Sequence, residues 1–510
     1  MSESSFDIPK MLQEAVAHQR AGRRGRAERL YRTILERRPD NPNALHLLGV
    51  LIADSGRPDA AVPYLTRAVD AAPGEATFRV NLGAALRKAG RLSESVATFD
   101  AALGLDAGNV AAHYGRAHAL EEMHRLPEAL AAAEETLRLQ PGHALARTLA
   151  ARIDRRAGRF ESARARLEPL VRSAASVEVR CHASIELGQA LDRLGRYAEA
   201  FEVLESGQRA QAERIAGGPL DGRGYLEFVR GLTAQLDAAD AASWSSFGED
   251  DGLPTPTFLV GFPRSGTTMT EQILGAHDSV RTTDEQAYVG RAIRRLQSTN
   301  DAPPRVETLS GADLATLRRA YWEEVSRADP AAAAAAQAGV SLLDKLPLNL
   351  VNLAFIHRMF PEAKILLALR DPRDVCLSCF MQTFDLNAAM SCFLRMETTA
   401  ALYEAVMTLW TVIERRIAPN VLQVRYEDTV TDLEGQSRRI LEFLGLRWDA
   451  ALLTFHERAR ERRISTPSYE AVTNPVHSGA IGRWRHYEQW MAPHLPRLAP
   501  FVERFGYSDA

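Results

Sequence analysis

The sequence predicts two parts: an all-α solenoid of helical repeats, followed by an α/β domain with a parallel sheet. Small residues that recur at a fixed spacing over some 200 residues indicate the first part. Short apolar runs that alternate with helical patterns indicate the second. A chain of 510 residues has room for two to four domains. We predict a repeat array over residues 8–215, a helix and linker over 216–250, and the α/β domain over 251–510.

Glycine, replaced once by histidine, recurs every 34 residues in the first part and is followed each time by arginine. Each glycine ends one helix, and a small residue five positions later lets two helices pack closely. This spacing is typical of tetratricopeptide repeats, which are pairs of antiparallel helices. A sixth copy at Gly195 comes 37 residues after Gly158, as expected of a modified last repeat. The repeat glycines are Gly22, Gly56, Gly90 and Gly158, with His124 in the remaining position, and the small residues are Ala27, Ala61, Ser95, Ala129 and Ala163.

The repeat period is lost after residue 216. Residues 221–236 are predicted to form one helix, and residues 237–256 have the Ser, Gly, Asp and Pro content of a linker. We therefore place the boundary before the α/β domain near residue 250.

Composition limits the classes of partner. The formal net charge is −3 and no long run of like charges occurs, so nucleic acid is not expected as a partner. No signal peptide and no apolar stretch of 18 residues is found, so we expect no membrane span and a cytoplasmic protein. The four cysteines suggest no disulfide framework. Cys376 and Cys379 have the spacing of a metal or redox pair, but without a second pair we interpret them as packing residues.

Four apolar runs are predicted to be buried parallel strands with helices on both faces of the sheet. In such sheets, ligands bind outside the carboxyl ends of the strands. A cation follows each run, at Arg264, Lys345, Arg370 and Arg425, which predicts a site for a ligand with more than one anionic group. An alanine run at residues 331–336 is predicted to be helical. The four predicted strands are Thr257–Val260, Val340–Leu343, Lys364–Leu369 and Val421–Val424.

The stretch from Thr257 to Thr268 breaks from a strand into a loop rich in Gly, Pro and hydroxyl residues, and then into a helix. Backbone N–H groups of such a loop and the helix N-terminus form an anion site. Gly261-x4-Gly266 is nearly a Walker A loop, but threonine replaces the lysine that should follow Gly266, and the positive charge is Arg264 within the loop. This P-loop-like segment therefore favours a smaller phosphate ligand over a nucleoside triphosphate, although an ordinary turn between strand and helix is the alternative.

These residues resemble a known family. Pro263-Arg-Ser-Gly-Thr-Thr268 resembles the phosphosulfate-binding loop of sulfotransferases that use 3′-phosphoadenosine 5′-phosphosulfate (PAPS), and Arg370-x7-Ser378 resembles their 3′-phosphate motif. Tyr426-Glu-Asp and Gly482-Arg-Trp484 lie where that family has an adenine-side tyrosine and a C-terminal nucleotide-binding segment. With the repeats, the chain is similar to bacterial tetratricopeptide sulfotransferases, and its catalytic half is similar to tyrosylprotein sulfotransferases.

The resemblance implies sulfuryl transfer from PAPS without a metal ion. Such transfer depends on in-line positioning and on neutralisation of charge at the bridging oxygen, and Arg264 and Lys345 are the cations predicted to act there. Arg370 and Ser378 are predicted to bind the 3′-phosphate. The predicted nucleotide-binding residues are Arg264, Ser265, Gly266, Thr267, Thr268, Arg370, Ser378, Tyr426 and Arg483.

The acceptor hydroxyl must lose a proton to a base. Glu285 matches the base of tyrosylprotein sulfotransferases, with Asp284 as its rival, and helix capping is the alternative for both. His277 is a weaker candidate because it falls at a helix end, where histidine commonly caps. The resemblance also implies that Ser468 contacts the sulfuryl group, because it falls where tyrosylprotein sulfotransferases have an auxiliary serine if the spacing to Arg483-Trp484 is kept.

Two other functions stay open from the sequence. A nucleotide kinase shares the sheet, but the missing Walker lysine argues against it. An inactive nucleotide-binding scaffold is weakened because Lys345 and the acidic pair are present, although Gln382 stands where the family has a further basic residue. The acceptor, which we expect to be a peptide, protein or glycan docked on the repeats, and the oligomeric state are not determined by the sequence.

Overall fold

The computed structural model describes residues 7–173, 176–218, 220–240, 244, 251–283, 285–297, 305–457 and 478–507. The chain divides into two compact units, Met1–Ala175 and Ser176–Ala510. The predicted domain limits mark where the repeat pattern ends in the sequence. The division between the compact units comes earlier, so the last repeat-like helices belong by their contacts to the second unit.

Within its described residues, the first unit is a series of ten helices that pack in antiparallel pairs. The repeat glycines have left-handed φ angles of 72–80°, and His124 takes the same conformation with φ 59°. The predicted small residues are fully buried between helices, including Ser95, whose hydroxyl donates to the Gly83 carbonyl oxygen at 2.7 Å. The predicted repeat fold is confirmed. The helices are α1 (Ile8–Arg20), α2 (Arg24–Arg37), α3 (Pro42–Asp54), α4 (Pro58–Ala71), α5 (Ala76–Lys88), α6 (Leu92–Leu105), α7 (Val110–Glu122), α8 (Leu126–Leu139), α9 (Ala144–Arg156) and α10 (Phe160–Ser173).

The second unit begins with three helices, α11 (Val177–Arg193), α12 (Tyr197–Ile215) and α13 (Arg223–Ala238). α11 and α12 form the pair predicted as the modified sixth repeat, with Ala200 fully buried. α13 is the helix predicted over residues 221–236, and it packs against a long helix of the α/β part.

A five-stranded parallel sheet forms the centre of the second unit, in the order β2-β3-β1-β4-β5. Four strands match the predicted apolar runs. The edge strand β2 is missed because its residues, Val-Arg-Thr-Thr, contain no apolar run and its middle positions are exposed or half-buried. The strands are β1 (Thr257–Gly261), β2 (Val280–Thr283), β3 (Ser341–Lys345), β4 (Ile365–Leu369) and β5 (Val421–Arg425).

Helices flank the sheet. One buried core joins α14 to the sheet through side chains such as Leu259, Ile273 and Leu366. The alanine run forms α17, as predicted. No helix within the described ranges is long and apolar enough to cross a bilayer. The helices are α14 (Thr267–Leu274), α15 (Tyr288–Gln297), α16 (Gly311–Ala328), α17 (Pro330–Gln337), α18 (Leu353–Met359), α19 (Pro372–Phe380), α20 (Met396–Ile417), α21 (Tyr426–Thr431), α22 (Leu433–Leu444), α23 (Glu488–Met491) and α24 (Leu495–Arg504).

Candidate active site

The loop between β1 and α14 is tightly constrained. A Cβ atom at Gly261 would lie 2.6 Å from the Ala368 carbonyl oxygen, so only glycine fits there. Gly266 has a left-handed φ of 99°, and a Cβ atom there would lie 3.1 Å from the Tyr426 ring. Arg264 is also left-handed, with φ 71°, a conformation that costs a residue with a side chain about 1–3 kcal/mol. The surrounding strands therefore hold the loop in a shape it would not adopt alone.

The Arg264 side chain lies against the helix that follows β4. Its Nε donates a hydrogen bond to Ser378 Oγ on α19 at 3.1 Å. Arg370, directly after β4, donates from its guanidinium to the Arg264 carbonyl oxygen at 3.4 Å. Because β1 and β4 are neighbours in the sheet, the residues that follow them meet at one edge. Among the predicted nucleotide-binding residues, Arg264 thus contacts both Ser378 and Arg370.

Arg370 is buried at this edge. One of its terminal nitrogens donates to the Ala480 carbonyl oxygen at 2.6 Å, and its guanidinium lies 4.8 Å from the centre of the Tyr426 ring. Its Nε is also buried and has no hydrogen-bond partner among the residues that the structure describes. A buried donor left unsatisfied costs about 1–3 kcal/mol, and an anionic oxygen would satisfy it. These donors fit a phosphate group.

The positive charges at this edge act on one another. Burial, followed by the charges of Arg370 and Arg483, lowers the pKa of the Arg264 guanidinium to about 10. Like charges held together in a partly buried site disfavour each other's ionised form. A bound anion would relieve that repulsion, so the edge has the electrostatic character of an anion site.

One carboxylate fixes the C-terminal segment beside the loop. Asp374, buried on α19, accepts hydrogen bonds from the backbone N–H groups of Gly482 at 2.7 Å and Trp484 at 2.9 Å. The Trp484 ring lies 4.2 Å from the Arg373 guanidinium. Asp371 caps the N-terminus of α19 by accepting from the Arg373 N–H at 2.9 Å. The motif after β4 therefore anchors this segment as well as supplying a cation.

Arg483 faces α11. Its guanidinium forms a two-point ion pair with Asp192, and the same carboxylate accepts a hydrogen bond from the Tyr487 hydroxyl at 2.7 Å. The Asp192 side chain is buried, whereas that of Arg483 is one-third exposed. The hydrogen bonds of this predicted nucleotide-binding residue therefore go to the last repeat-like pair, while its charge still reaches Arg264.

The last repeat-like pair also supports α19 directly. Gln189 on α11 donates to the Met381 carbonyl oxygen at 2.7 Å, and Gln208 on α12 donates to the Phe380 carbonyl oxygen at 2.8 Å. The final carbonyl groups of a helix have no intrahelical partner, so these amides satisfy otherwise orphaned acceptors. α11 and α12 thus stabilise the helix that carries the predicted 3′-phosphate serine.

Lys345 ends β3 and lies between two carboxylates. Its Nζ is 2.7 Å from Glu285 Oε1 and 3.1 Å from Glu271 Oε2. Burial lowers the pKa of the Lys345 ammonium, but the charges and hydrogen bonds of the two carboxylates raise it by more, so that the net shift is upward. A buried ammonium therefore stays charged directly beneath a carboxylate that reaches the surface.

Asp344, the neighbour of Lys345 in β3, is fully buried. The Tyr321 hydroxyl donates to its Oδ2 at 2.9 Å, and its Oδ1 has no hydrogen-bond partner within the described part of the chain. Burial raises the pKa of the Asp344 carboxyl to about 7, against smaller lowering effects of Tyr321 and Arg291. This carboxyl is part of the packing behind the site.

Two family models match different parts of the chain. A tetratricopeptide-repeat family model matches residues 12–214 in five overlapping segments. A sulfotransferase family model matches residues 256–450, which include the loop, Lys345 and the motif after β4. The chain joins tetratricopeptide repeats to a sulfotransferase-family domain.

The similar proteins are distant. An uncharacterized protein of Aquifex aeolicus is 26% identical over 345 residues, which cover 65% of this chain and 43% of that protein. Protein-tyrosine sulfotransferase A of Caenorhabditis elegans is 28% identical over 289 residues, which cover 52% of this chain and 70% of that protein. The crystal structure of PilW, a type IV pilus biogenesis factor, is 19% identical over a match that covers 40% of this chain and 94% of that chain, with a TM-score of 0.37. The chain thus spans less than half of the Aquifex protein.

Several predicted site residues of the sulfotransferase domain brace the loop from within. The Ser265 hydroxyl and N–H both donate to the Phe262 carbonyl oxygen, at 2.5 and 3.2 Å. Thr267 and Thr268 are buried in the first turn of α14, directly after Gly266. Their contacts with a nucleotide stay predictions.

Three residues with potentially reactive side chains, His277, Cys376 and Cys379, have structural roles. His277 is buried, accepts from the Ser279 N–H at Nδ1 and lies 2.9 Å from the Arg447 carbonyl oxygen at Nε2, so it fastens the end of the loop's helix. Cys376 and Cys379 are fully buried on α19, and burial raises the pKa of both thiols. Their interpretation as packing residues agrees with these surroundings.

The remaining candidates have other contacts or lie outside the described residues. Arg425, predicted at the same edge, lies 4.4 Å from the Tyr507 ring near the end of the chain. The Gln382 carbonyl oxygen accepts a hydrogen bond from the Gln208 side-chain amide at 3.3 Å. Ser468 and Asp284 lie outside the residues that the structure describes.

Sequence reasoning missed three carboxylates: Glu271, Asp374 and Asp192. Each is buried and pairs with a group on a different element. The only available sequence signal was an acidic residue at a position that an amphipathic helix would bury, and this signal does not indicate which residue the carboxylate pairs with.

Proposed function

We propose that the sulfotransferase domain transfers a sulfuryl group from PAPS to an acceptor hydroxyl, without a metal ion. The observation that carries the proposal is that one edge of the sheet holds both a cluster of guanidinium groups, those of Arg264, Arg370 and Arg483, and an ion-paired lysine beneath a surface carboxylate. The first suits the phosphates of a nucleotide and the second suits proton removal. The family match and the named relatives support the same chemistry.

At the phosphate end, Arg370 and Ser378 would bind the 3′-phosphate, and Arg264 with the loop from Ser265 to Thr268 would bind the 5′-phosphosulfate. The unsatisfied Nε of Arg370 supports its assignment, since a phosphate oxygen would complete its hydrogen bonding. Tyr426 would contact the nucleotide beside the loop, because its ring already lies against both Gly266 and Arg370.

At the transfer end, Glu285 would take the proton of the acceptor hydroxyl as that oxygen attacks sulfur. The new oxygen–sulfur bond forms while the bond from sulfur to the 5′-phosphate oxygen breaks, and 3′-phosphoadenosine 5′-phosphate (PAP) leaves. Lys345 and Arg264 would stabilise the charge that develops on the leaving oxygen. Glu285 is favoured over Asp284 because its carboxylate contacts Lys345. Ser468 remains a proposed contact of the sulfuryl group from the sequence alone.

Nucleotide binding tests the phosphate end. Isothermal titration calorimetry should show PAP binding more tightly than AMP by roughly 2–5 kcal/mol, the range for losing one partner of a close charge pair. Equal affinities for PAP and AMP would contradict the assignment of Arg370 and Ser378.

Transfer itself is tested by mass spectrometry. Cell extract incubated with the protein and PAPS should contain an acceptor that gains one sulfuryl group, and the gain should be absent without the protein. An extract with no such product, although PAP binds, would leave a nucleotide-binding scaffold as the better description.

We further propose that the acceptor is a polypeptide, or is carried by one, and docks on the repeats. Repeat arrays present extended surfaces that hold peptide chains, and a second attachment raises the local concentration of the acceptor. A distant relative is named a protein-tyrosine sulfotransferase, which supports a polypeptide acceptor.

The docking proposal is tested by truncation. Deleting residues 1–215 would also remove α11 and α12, whose amides and Asp192 support α19 and Arg483. Deleting residues 1–175 keeps the second compact unit whole. That truncation should raise KM for the macromolecular acceptor and leave PAP affinity unchanged. Unchanged KM in a folded truncation would contradict docking.

A further inference from the structure

The buried carboxylate of Glu271 has no role in the proposed function. It lies on α14, the helix that begins at the phosphate loop, and its Oε2 is 3.1 Å from Lys345 Nζ. Glu271 is 5% exposed and Lys345 is 1% exposed, whereas Glu285 is 33% exposed. The buried ammonium therefore lies between one partly exposed carboxylate and one buried carboxylate.

Three elements contribute the charges of this stack: α14, the end of β3 and the segment after β2. The groups that act on the Lys345 ammonium are Glu271 and Glu285, and burial opposes them. Asp344, the neighbour of Lys345 in β3, is bound instead by the Tyr321 hydroxyl of α16.

The second carboxylate changes how strongly the charge of Lys345 acts on Glu285. A buried lysine with Glu285 alone would form a neutral pair, and its whole charge would be directed at the carboxylate that has to accept a proton. With Glu271 the three groups carry a net negative charge, so part of the attraction is taken by a carboxylate that is not a candidate base. An ammonium has three donors, and the two carboxylates occupy two of them, which leaves one for an oxygen of the transferred group.

We propose that Glu271 is a positioning residue for sulfuryl transfer, which keeps the Lys345 ammonium charged and fixed behind Glu285. The inference rests on the proposed function for its catalytic meaning, but the arrangement of the three side chains can be tested without turnover. Without Glu271, Lys345 keeps its burial and loses one of the two charges that oppose the effect of burial.

The experiment uses the small number of lysines. The chain contains four, Lys10, Lys88, Lys345 and Lys364, so the full-length protein labelled with ¹³Cε-lysine gives four signals that single Lys→Arg variants assign. We expect Glu271→Gln to lower the pH midpoint of Lys345 titration by about 1 unit or more, since loss of a close opposite charge shifts a group by about 1–3 units. Lys364, which donates to the Leu444 carbonyl oxygen, should not move.

Two variants separate this effect from general destabilisation. Glu271→Asp keeps the charge and should restore most of the wild-type midpoint. Glu121→Gln removes the charge of a different buried carboxylate, which pairs with Arg156 in the first unit, and should leave the Lys345 midpoint unchanged. A Lys345 midpoint in Glu271→Gln equal to that of the wild type would overturn the proposal, as would an equal change in Glu121→Gln.

Kinetics then connect the stack with transfer. Glu271→Gln should lower kcat about 10- to 100-fold and move the alkaline fall of kcat/KM to lower pH, while PAP affinity at pH 7 stays within about twofold. If the midpoint moves and wild-type protein transfers no sulfuryl group, the proposed function fails and the positioning of Lys345 stands. If the wild type is active and the midpoint does not move, only the role of Glu271 fails.

Discussion

The pKa values of the cations at the two ends of the candidate site shift in opposite directions. At the phosphate end, burial and the charges of Arg370 and Arg483 lower the pKa of Arg264 to about 10. At the transfer end, Glu271 and Glu285 outweigh burial and raise the pKa of Lys345. Like charges lie together at the first end, whereas two carboxylates pair with the lysine at the second.

The contrast indicates which end depends on a ligand. Burying charge is expensive unless an opposite charge compensates it. Lys345 has that compensation in the folded chain, so its position is fixed before anything binds. In the guanidinium cluster, Arg483 is paired with Asp192, but the charges of Arg370 and Arg483 still lower the pKa of Arg264, so a bound anion would relieve repulsion there. The predictions below test this division, from the largest expected effect to the smallest.

Removing the candidate base should affect turnover far more than binding. Glu285→Ala should lower kcat roughly 10²–10⁴-fold, the range for a general base, because proton removal is lost while the guanidinium cluster is untouched. Initial rates of sulfuryl transfer and PAP calorimetry on the same preparation check both halves. Wild-type turnover in Glu285→Ala combined with an inactive Asp284→Ala would reverse the assignment of the base.

Removing a guanidinium should have the opposite outcome. Arg370→Ala should weaken PAP binding by roughly 2–5 kcal/mol and leave AMP binding nearly unchanged, since only PAP carries a 3′-phosphate. Arg425→Ala is the matched control, because that arginine also ends a strand but contacts Tyr507. Equal losses for PAP and AMP in Arg370→Ala would place the arginine elsewhere on the nucleotide.

The carboxyl beside Lys345 predicts a pH dependence of stability. Burial raises the pKa of Asp344 to about 7 from an ordinary value of 3.8, so the folded state retains a proton that the unfolded chain releases. Relative to Asp344→Asn, the free energy of unfolding of the wild type should therefore fall as pH rises from about 4 to 7, by up to about 4 kcal/mol.

Chemical denaturation of both proteins at several pH values measures this difference. It should widen up to pH 7 and stay constant above it. Parallel pH profiles for the two proteins would contradict the prediction, because they would show that the pKa of Asp344 is the same in the folded and unfolded states.

The smallest effect is expected at the edge of the phosphate end. Asp192→Asn should weaken PAP binding about three- to tenfold, because Arg483 loses the charge of the partner that orients it but keeps its place beside Arg264. Asp237→Asn breaks another aspartate–arginine contact in the second unit, with Arg415 and Arg416, and should have no effect. Unchanged PAP affinity in Asp192→Asn would mean that Arg483 does not contribute to the nucleotide site.

Features set by neighbouring residues were predictable from the sequence. The repeat period marks the turns because each repeat glycine, and His124, takes its left-handed conformation locally. The buried strands are apolar runs, and the loop motif is contiguous. β2 was missed because an edge strand that is half-exposed needs no apolar run.

Pairings between distant residues could not be predicted. Asp192 and Arg483 are 291 residues apart in the sequence, and their ion pair exists only because α11 packs within the second unit. Glu271 lies one helical turn beyond the loop, and nothing near it in the sequence indicates that it pairs with Lys345. Several residues of the site became interpretable only when the fold supplied their partners.

The inclusion of α11 and α12 in the second unit bears on how such chains are assembled from modules. Suppose that recombination replaced the whole repeat pattern, up to about residue 215, with another array. Gln189 and Gln208 would then be lost, together with their hydrogen bonds to the carbonyl groups at the end of α19. A junction near residue 175 would exchange five helix pairs and leave those bonds intact. The compact unit that contains the sulfotransferase-family domain is therefore longer than the family match, and its N-terminal border lies inside the repeat pattern.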